Sequence, residues 1–328
     1  MRLFAHVGRR GEDRIGILTD AGLYTAGQLV ATKPAWPLAT YQSVCCLLAD
    51  DDWRSGFDRM AREVARKRLP RPPSSRTPLP AVQHPGKIVC VGLNYRDHAA
   101  EGGREAPPRP LLFSKFANTV IADGEPIIRP EGTDALDLEV ELGVVIGRTA
   151  HRVPVAQAMD HVAGYVVVND VSARDWQGNP QALRPGEKGD GQWLRAKGSD
   201  TFLPMGPNFV TADGLDTKAG LRLRSWRITP DGTEHQMQEG NTRDLIWDVP
   251  ALVAFTSKSI TLEPGDVIAT GTPAGVGVFR DPPIFLQPGD RVRCEVEGIG
   301  SVENPIIDWT DAEPDAEPDA EPDADVHP

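Results

Sequence analysis

Asp137-Leu-Glu-Val-Glu-Leu-Gly-Val-Val-Ile-Gly147 is an aliphatic, β-branched run interrupted by glutamates at positions 139 and 141. Its composition and closing glycine read as a β-strand, and residues i and i+2 of a strand face the same way. Glu139 and Glu141 therefore project together from one face, with Leu138, Val140 and Leu142 on the other. A second strand-like run, Gly164-Tyr-Val-Val-Val-Asn-Asp170, ends on another carboxylate, Asp170. Carboxylates held that close repel and are driven to protonate unless a cation joins them. Oxygen donors alone favour a hard divalent ion, Mg²⁺, Mn²⁺ or Ca²⁺, over zinc. Glu-x-Glu by itself also describes an edge strand with one solvated acidic face, so the rest of the chain has to decide.

Outside this segment, 32 Gly and 30 Pro among 328 residues make about a fifth of the chain turn-forming. Such a composition favours an α+β, predominantly β fold with many short strands over a helical bundle. The net charge is −12, yet residues 311–328 hold eight acids and no Lys or Arg, which leaves the body near −4. No basic stripe or aromatic platform is present, so no nucleic-acid partner is expected. Without an apolar run of about 18 residues, no membrane span is expected either. The first ten residues lack the apolar stretch of a signal peptide. The four cysteines (45, 46, 90 and 294) are without C-x-x-C spacing, and Cys45 and Cys46 read as core residues. Together these features predict a soluble cytoplasmic protein.

Residues 1–80 read as a small N-terminal α/β domain and linker. Strand signals cover Leu3–Val7 and Arg14–Leu18, and Trp53, Phe57, Met60 and Val64 recur at helical spacing over residues 50–68. Leu69 to Pro80 is too rich in Pro for either regular structure. Residues 81–309 form the main body, with short helices expected over 95–102, 155–159 and 242–258. Residues 310–328, built on an Asp-Ala-Glu-Pro repeat, cannot bury a core and are expected to be disordered.

Further segments carry chemistry. Val89-Cys-Val-Gly-Leu-Asn-Tyr-Arg-Asp-His-Ala-Ala-Glu101 reads as a buried strand, a turn and a helix that starts near Tyr95. His98 and Glu101 then share a helical face, and a carboxylate beside an imidazole orients it as a general base. The same spacing also fits a solvated His–Glu pair. Asp170 is followed by Arg174 and Gln177, and Lys197 stands among small turn residues, where a cation suits a ligand better than a core. Ile268-Ala-Thr-Gly-Thr-Pro-Ala-Gly-Val-Gly277 offers backbone amides and the hydroxyl of Thr272 at a strand end. It lacks the Lys-Ser/Thr of a nucleotide-binding loop.

Taken in order, Gly-Leu-Asn-Tyr-Arg-Asp-His, Asp-Leu-Glu-Val-Glu-Leu, Asn-Asp-Val-Ser-Ala-Arg-Asp-Trp-Gln, Lys-Gly-Ser-Asp-Thr-Phe and Thr-Gly-Thr-Pro-Ala-Gly-Val-Gly closely resemble the fumarylacetoacetate hydrolase superfamily over residues 87–307. The resemblance implies a mixed β-sheet roll, a homodimer and a divalent metal, Mg²⁺ first, on Glu139, Glu141 and Asp170. It implies a catalytic His98–Glu101 dyad on a helix over the substrate, with Lys197 beside the metal. Arg174 and Gln177 match the family's substrate contacts, and Tyr95 and Thr272 complete the substrate-binding candidates. Where eukaryotic fumarylacetoacetases place a fourth acidic ligand this chain has Asn94. In that respect it looks like the smaller bacterial and mitochondrial members.

The expected activity is metal-dependent hydrolysis of a C–C bond in a small 2-oxo or 1,3-dicarbonyl acid, through a metal-stabilised enolate. Decarboxylation or keto–enol isomerisation of a 2-oxo acid, such as oxaloacetate or a 2-hydroxymuconate-type compound, uses the same groups. A metal-stabilised binding module is the non-enzyme alternative. Three loop cations, Arg104, Arg184 and Lys188, hint at a second carboxylate on the substrate.

Overall fold

The computed structural model describes residues 2–7, 13–19, 22–25, 43–48 and 77–312. The helix expected over 50–68, the linker up to residue 76 and the acidic tail from residue 313 lie outside the described residues.

Nine strands make the main sheet: β1 (Arg2–Val7), β2 (Asp13–Thr19), β3 (Gly22–Thr25), β4 (Ile88–Gly92), β5 (Leu111–Lys115), β9 (Val140–Ile146), β10 (Val162–Asn169), β13 (Asn208–Thr211) and β16 (Val267–Ala269). Their order is β3-β2-β1-β13-β10-β9-β16-β4-β5, antiparallel throughout except for β16 beside β4. The N-terminal strands thus extend the sheet of the main body, through β1 on β13. A second sheet has the order β15-β14-β17-β18-β7, from β7 (Ile127–Arg129), β14 (Arg222–Ile228), β15 (Glu234–Asn241), β17 (Arg291–Val296) and β18 (Gly300–Asp308). Among the described residues two short pairs complete the strands, β6 (Val120–Ile121) with β12 (Leu203–Pro204) and β8 (Leu136–Asp137) with β11 (Ser172–Ala173). The fold is strand-dominated α+β, as the composition predicted, with the mixed sheets that the resemblance implied.

Alternation along the central strands sorts the core. Leu138, Val140, Leu142, Val144 and Ile146 join Tyr165, Val167, Leu223, Val292 and Val302 in one cluster between the two sheets. Val145, Val166, Val168, Ile88 and Cys90 point the other way, into a second cluster with Leu3, Ile15 and Leu47. Glu139, Glu141 and Asp170 fall on the parity of this second face, at the end of the β9–β10 pair. The backbone N–H of Asp170 donates to the Glu139 carbonyl at 2.9 Å, which sets the third acid beside the first.

Helices are short. Helix α1 (Arg96–Glu101) lies where the sequence predicts it, and α2 (Trp193–Gly198) replaces the turn expected around Lys197. Six residues are too few for an apolar period to show in the sequence. The stretch Val155–His161 is 3₁₀, and the helix expected over 242–258 is divided into a 3₁₀ turn, Thr242–Asp244, and α3 (Val249–Ser257). Asp248 restarts it by accepting from the Ala251 N–H at 3.0 Å, with Pro250 in the first turn.

Candidate active site

β9, β10, α1, α2 and the loop after β16 converge on an open cleft of about 640 Å³. Its lining includes His98, Arg104, Phe113, Glu139, Glu141, Arg174, Gln177, Trp193, Lys197, Thr272 and Phe279. Glu139, Glu141 and Asp170 are all buried, and one oxygen of each lies within 4.8 Å of the others.

Two of these acids are held by cations. Lys197 Nζ donates to Glu139 Oε2 at 2.8 Å and to Asp170 Oδ2 at 2.9 Å. Arg174 donates from Nη2 to Glu139 Oε1 at 2.6 Å, from Nε to Asp137 Oδ2 at 2.9 Å and from Nη1 to Gln177 Oε1 at 3.1 Å. Burial pushes the Glu139 carboxyl up, but Lys197 and Arg174 together pull it well below the usual range. Lys197 itself is raised: burial would lower it, and Asp170 and Glu139 outweigh that cost.

Glu141 is treated differently. Among the described residues its carboxylate accepts one hydrogen bond, from the Gly271 N–H at 2.8 Å. Burial first, then Asp170 and Glu139, push its carboxyl well above the ordinary value. Gly271 is required there, because its φ is +101° and a Cβ would stand 2.8 Å from that of Asn94. The third carboxylate is therefore the one that an added cation would relieve. A three-carboxylate, all-oxygen donor set suits Mg²⁺, Mn²⁺ or Ca²⁺, so the residues present fit the expected ion.

The His98 Nδ1 lies 2.7 Å from Glu101 Oε1, and Glu101 Oε2 accepts from the Gly275 N–H at 2.8 Å. The carboxylate is thereby fixed at both oxygens, the ring is oriented, and Nε2 remains as its other nitrogen. Phe279 backs the imidazole, with ring centroids 6.0 Å apart. On the opposite wall Trp193 meets Phe113 edge-on at 5.5 Å, and Lys197 Nζ lies 5.2 Å from the Phe113 ring centre.

Not every sequence candidate reaches the cleft. Tyr95 is fully buried and does not line it: the residue precedes α1, and its ring points into the protein. Thr272 does line it, but its hydroxyl donates to the Val140 carbonyl at 3.0 Å and accepts from Gln238 at 2.7 Å. Asn94 is a strut. Its Nδ2 donates to the Thr270 carbonyl at 2.7 Å and the Trp247 carbonyl at 3.0 Å, and its Oδ1 accepts from the Trp247 N–H at 2.9 Å.

Two residues of the network escaped the sequence reading. Lys115, completely buried, lies 2.7 Å from Asp170 Oδ1 and donates to the carbonyls of Val171, Phe202 and Lys197. Burial pulls its ammonium below the ordinary value, with Asp170 opposing and Lys197 adding to the fall. A lysine closing the apolar strand Leu111–Lys115 was the available signal. Asp137 accepts from Arg174, from the Gly277 N–H at 2.8 Å and from the Val278 N–H at 3.1 Å. It stands two residues before Glu139, so the i, i+2 rule that paired the glutamates pointed to it as well.

Among the described residues no helix is long and apolar enough to cross a membrane. Comparison with known proteins gives a family match, the fumarylacetoacetate (FAA) hydrolase C-terminal model, over residues 87–307. The mitochondrial oxaloacetate tautomerase fahd2 of Xenopus laevis is 43% identical over 229 residues, which are 70% of this chain and 68% of that protein. The human mitochondrial oxaloacetate tautomerase FAHD2A is 42% identical over 249 residues, 76% of this chain and 75% of its own length. Among solved structures, the fumarylacetoacetate hydrolase of Exiguobacterium antarcticum superposes with a TM-score of 0.73 at 30% identity, covering 94% of this chain and 99% of that one. A 5-carboxymethyl-2-hydroxymuconate delta-isomerase from Mycobacterium smegmatis has a TM-score of 0.65 at 32% identity, covering 94% of this chain and all of that one. With the match spanning the whole cleft-bearing body, the chain belongs to the fumarylacetoacetate hydrolase family of enzymes.

Proposed function

We propose that this enzyme catalyses keto–enol interconversion of a small 2-oxo acid of the oxaloacetate type. The observation that carries the reading is the His98–Glu101 dyad, oriented at 2.7 Å in the same cleft as the buried triad. The relatives' names support it, since two are oxaloacetate tautomerases and a structural neighbour is an isomerase. Hydrolysis, the first expectation from sequence, thereby becomes the second reading.

A divalent ion on Glu139, Glu141 and Asp170 would supply Lewis acidity toward the 2-oxo group and its neighbouring carboxylate. His98 Nε2 takes the proton from C3: the C–H bond breaks, an N–H bond forms, and the electron pair moves into the C2–C3 bond. The carbonyl electrons pass to the 2-oxygen, and the Lys197 ammonium stabilises that charge. The His98 imidazolium gives the proton back to the 2-oxygen, which forms the enol and restores the neutral base, and the reverse steps regenerate the ketone. Arg174 holds Glu139 and Gln177 in position, and the aromatic rings of Phe113, Trp193 and Phe279 in the cleft lining limit water around the reacting carbon. The dyad also favours hydrolysis as the second reading, because the same imidazole could take its proton from a water aimed at a distal carbonyl.

Absorbance of the oxaloacetate enol, C3 hydrogen–deuterium exchange and pyruvate release from acylpyruvates, each followed during Mg²⁺ titration, separate the outcomes. Accelerated exchange without cleavage is expected. Cleavage as the faster reaction moves the assignment to hydrolysis. Mg²⁺ binding with no turnover of any 2-oxo acid moves it to a metal-stabilised binding module.

A further inference from the structure

Among the described residues, Arg104 is the one cation of the cleft lining that the chemistry above leaves unused. Arg174 is tied to Asp137 and Glu139, and Lys197 to Glu139 and Asp170. Arg104 lines the same cleft yet is exposed, and among the described residues no side chain or carbonyl engages its guanidinium. Of the other two loop cations, Arg184 turns away to Asp134 at 2.6 Å, and Lys188 does not line the cleft.

The backbone beneath Arg104 is anchored to the dyad helix. Its N–H donates to the Ala99 carbonyl at 2.9 Å, and the Gly103 N–H donates to that of Ala100 at 3.0 Å. Gly103 makes the turn at φ +63°, where no side chain is crowded but an L-residue is strained. Gly102 lets the chain pass the Phe279 ring, since a Cβ would lie 3.1 Å from its Cζ. The guanidinium thus hangs from a fixed point at the cleft wall, six residues beyond His98.

We infer that Arg104 is a specificity-determining residue that receives the distal carboxylate of a 2-oxo dicarboxylic acid; the inference rests on the 2-oxo acid chemistry proposed above. A substrate whose 2-oxo acid end lies at the triad directs its far end along the cleft. A second carboxylate there needs a cation, and the deep cations are already matched to protein carboxylates. The planar fork of an arginine donates to both carboxylate oxygens at once, and a free positive charge on the cleft wall also draws dianions in.

The test is C3 hydrogen–deuterium exchange by NMR on oxaloacetate and on 2-oxobutanoate, which lacks the distal carboxylate, with Mg²⁺ present. Arg104→Ala is expected to lower the ratio of kcat/KM values, oxaloacetate over 2-oxobutanoate, by roughly tenfold, mainly through KM. Arg104→Lys should recover part of the ratio, and added salt should erode it in the wild type. A ratio that Arg104→Ala leaves unchanged overturns the inference while the chemistry stands. Wild-type enzyme that exchanges neither acid overturns the chemistry, and the inference with it.

Discussion

Two clefts flank the segment from Arg174 to Glu187, and both are rich in charge. The second, open to solvent, spans about 830 Å³ beside Arg129, Glu131, Asp134, Asp175, Arg184, Glu187 and Asp308. Its Arg184–Asp134 pair is an ordinary surface pair, 78% and 65% exposed and so screened by water, and even Arg129 and Asp308 keep 18% and 20% of their side-chain surface exposed. At the floor of the first cleft the Lys197 side chain is 3% exposed, and the Asp170 and Lys115 side chains packed behind it are both 0% exposed. Charge count alone does not distinguish the two. Burial does, because only in the first cleft must every carboxylate find a cation, accept hydrogen bonds or be driven to protonate. That constraint spreads Glu139 and Glu141 in opposite directions although they are two residues apart.

Four experiments press on this difference. The largest effect is expected from His98→Ala, which should lower turnover by about a hundredfold to ten-thousandfold while Mg²⁺ affinity, read by calorimetry, holds. Unchanged turnover excludes the imidazole as the base. Arg174→Met should follow, costing about 3–5 kcal/mol in denaturant unfolding, since it leaves Asp137 and Glu139 buried beside fewer cations. A loss under about 1 kcal/mol there would make the first cleft behave like the second.

Glu141→Gln probes the acid with the raised value. In the folded protein Glu141 ionises at higher pH than in the unfolded chain, so below its unfolded value it is neutral in both states and costs nothing. As pH climbs toward the folded value, the unfolded chain gives up the proton first, and stability falls. Without metal, Glu141→Gln should therefore gain Tm relative to wild type as pH rises above the ordinary carboxylate range. With saturating Mg²⁺ the order should reverse, because the variant has lost a ligand charge. Parallel Tm–pH profiles for the two proteins would sink the ligand assignment. The smallest effect belongs to Arg184→Ala, at most about 1 kcal/mol and reduced further by salt. A larger loss would show that the second cleft is more than a wet surface.

Legibility followed the range of the interactions. His98 and Glu101 were readable together because i, i+3 on a helix is a local relation, and the structure sets them 2.7 Å apart. Lys115 was not, since its acceptors lie 56, 82 and 87 residues away, and nothing near it in the chain announces them. Tyr95 shows the limit of sequence proximity: it stands beside catalytic candidates in the chain, and the turn into α1 leaves its ring buried away from the cleft lining. Asn94 matched the position of an acidic ligand in the resemblance, and only its three bonds to Thr270 and Trp247 show it spent on backbone.

The chain by itself determined the strand-dominated fold, the shared face of Glu139 and Glu141, and the dyad, because strand and helix periods are properties of neighbouring residues. Tertiary structure alone decided which charges meet. Pairing β9 with β10 brings Asp170 to the glutamates, and packing α2 and β5 against them delivers Lys197 and Lys115. Those contacts join residues 27 to 58 positions apart, and the burial that makes them strong exists only once the sheets have closed over them.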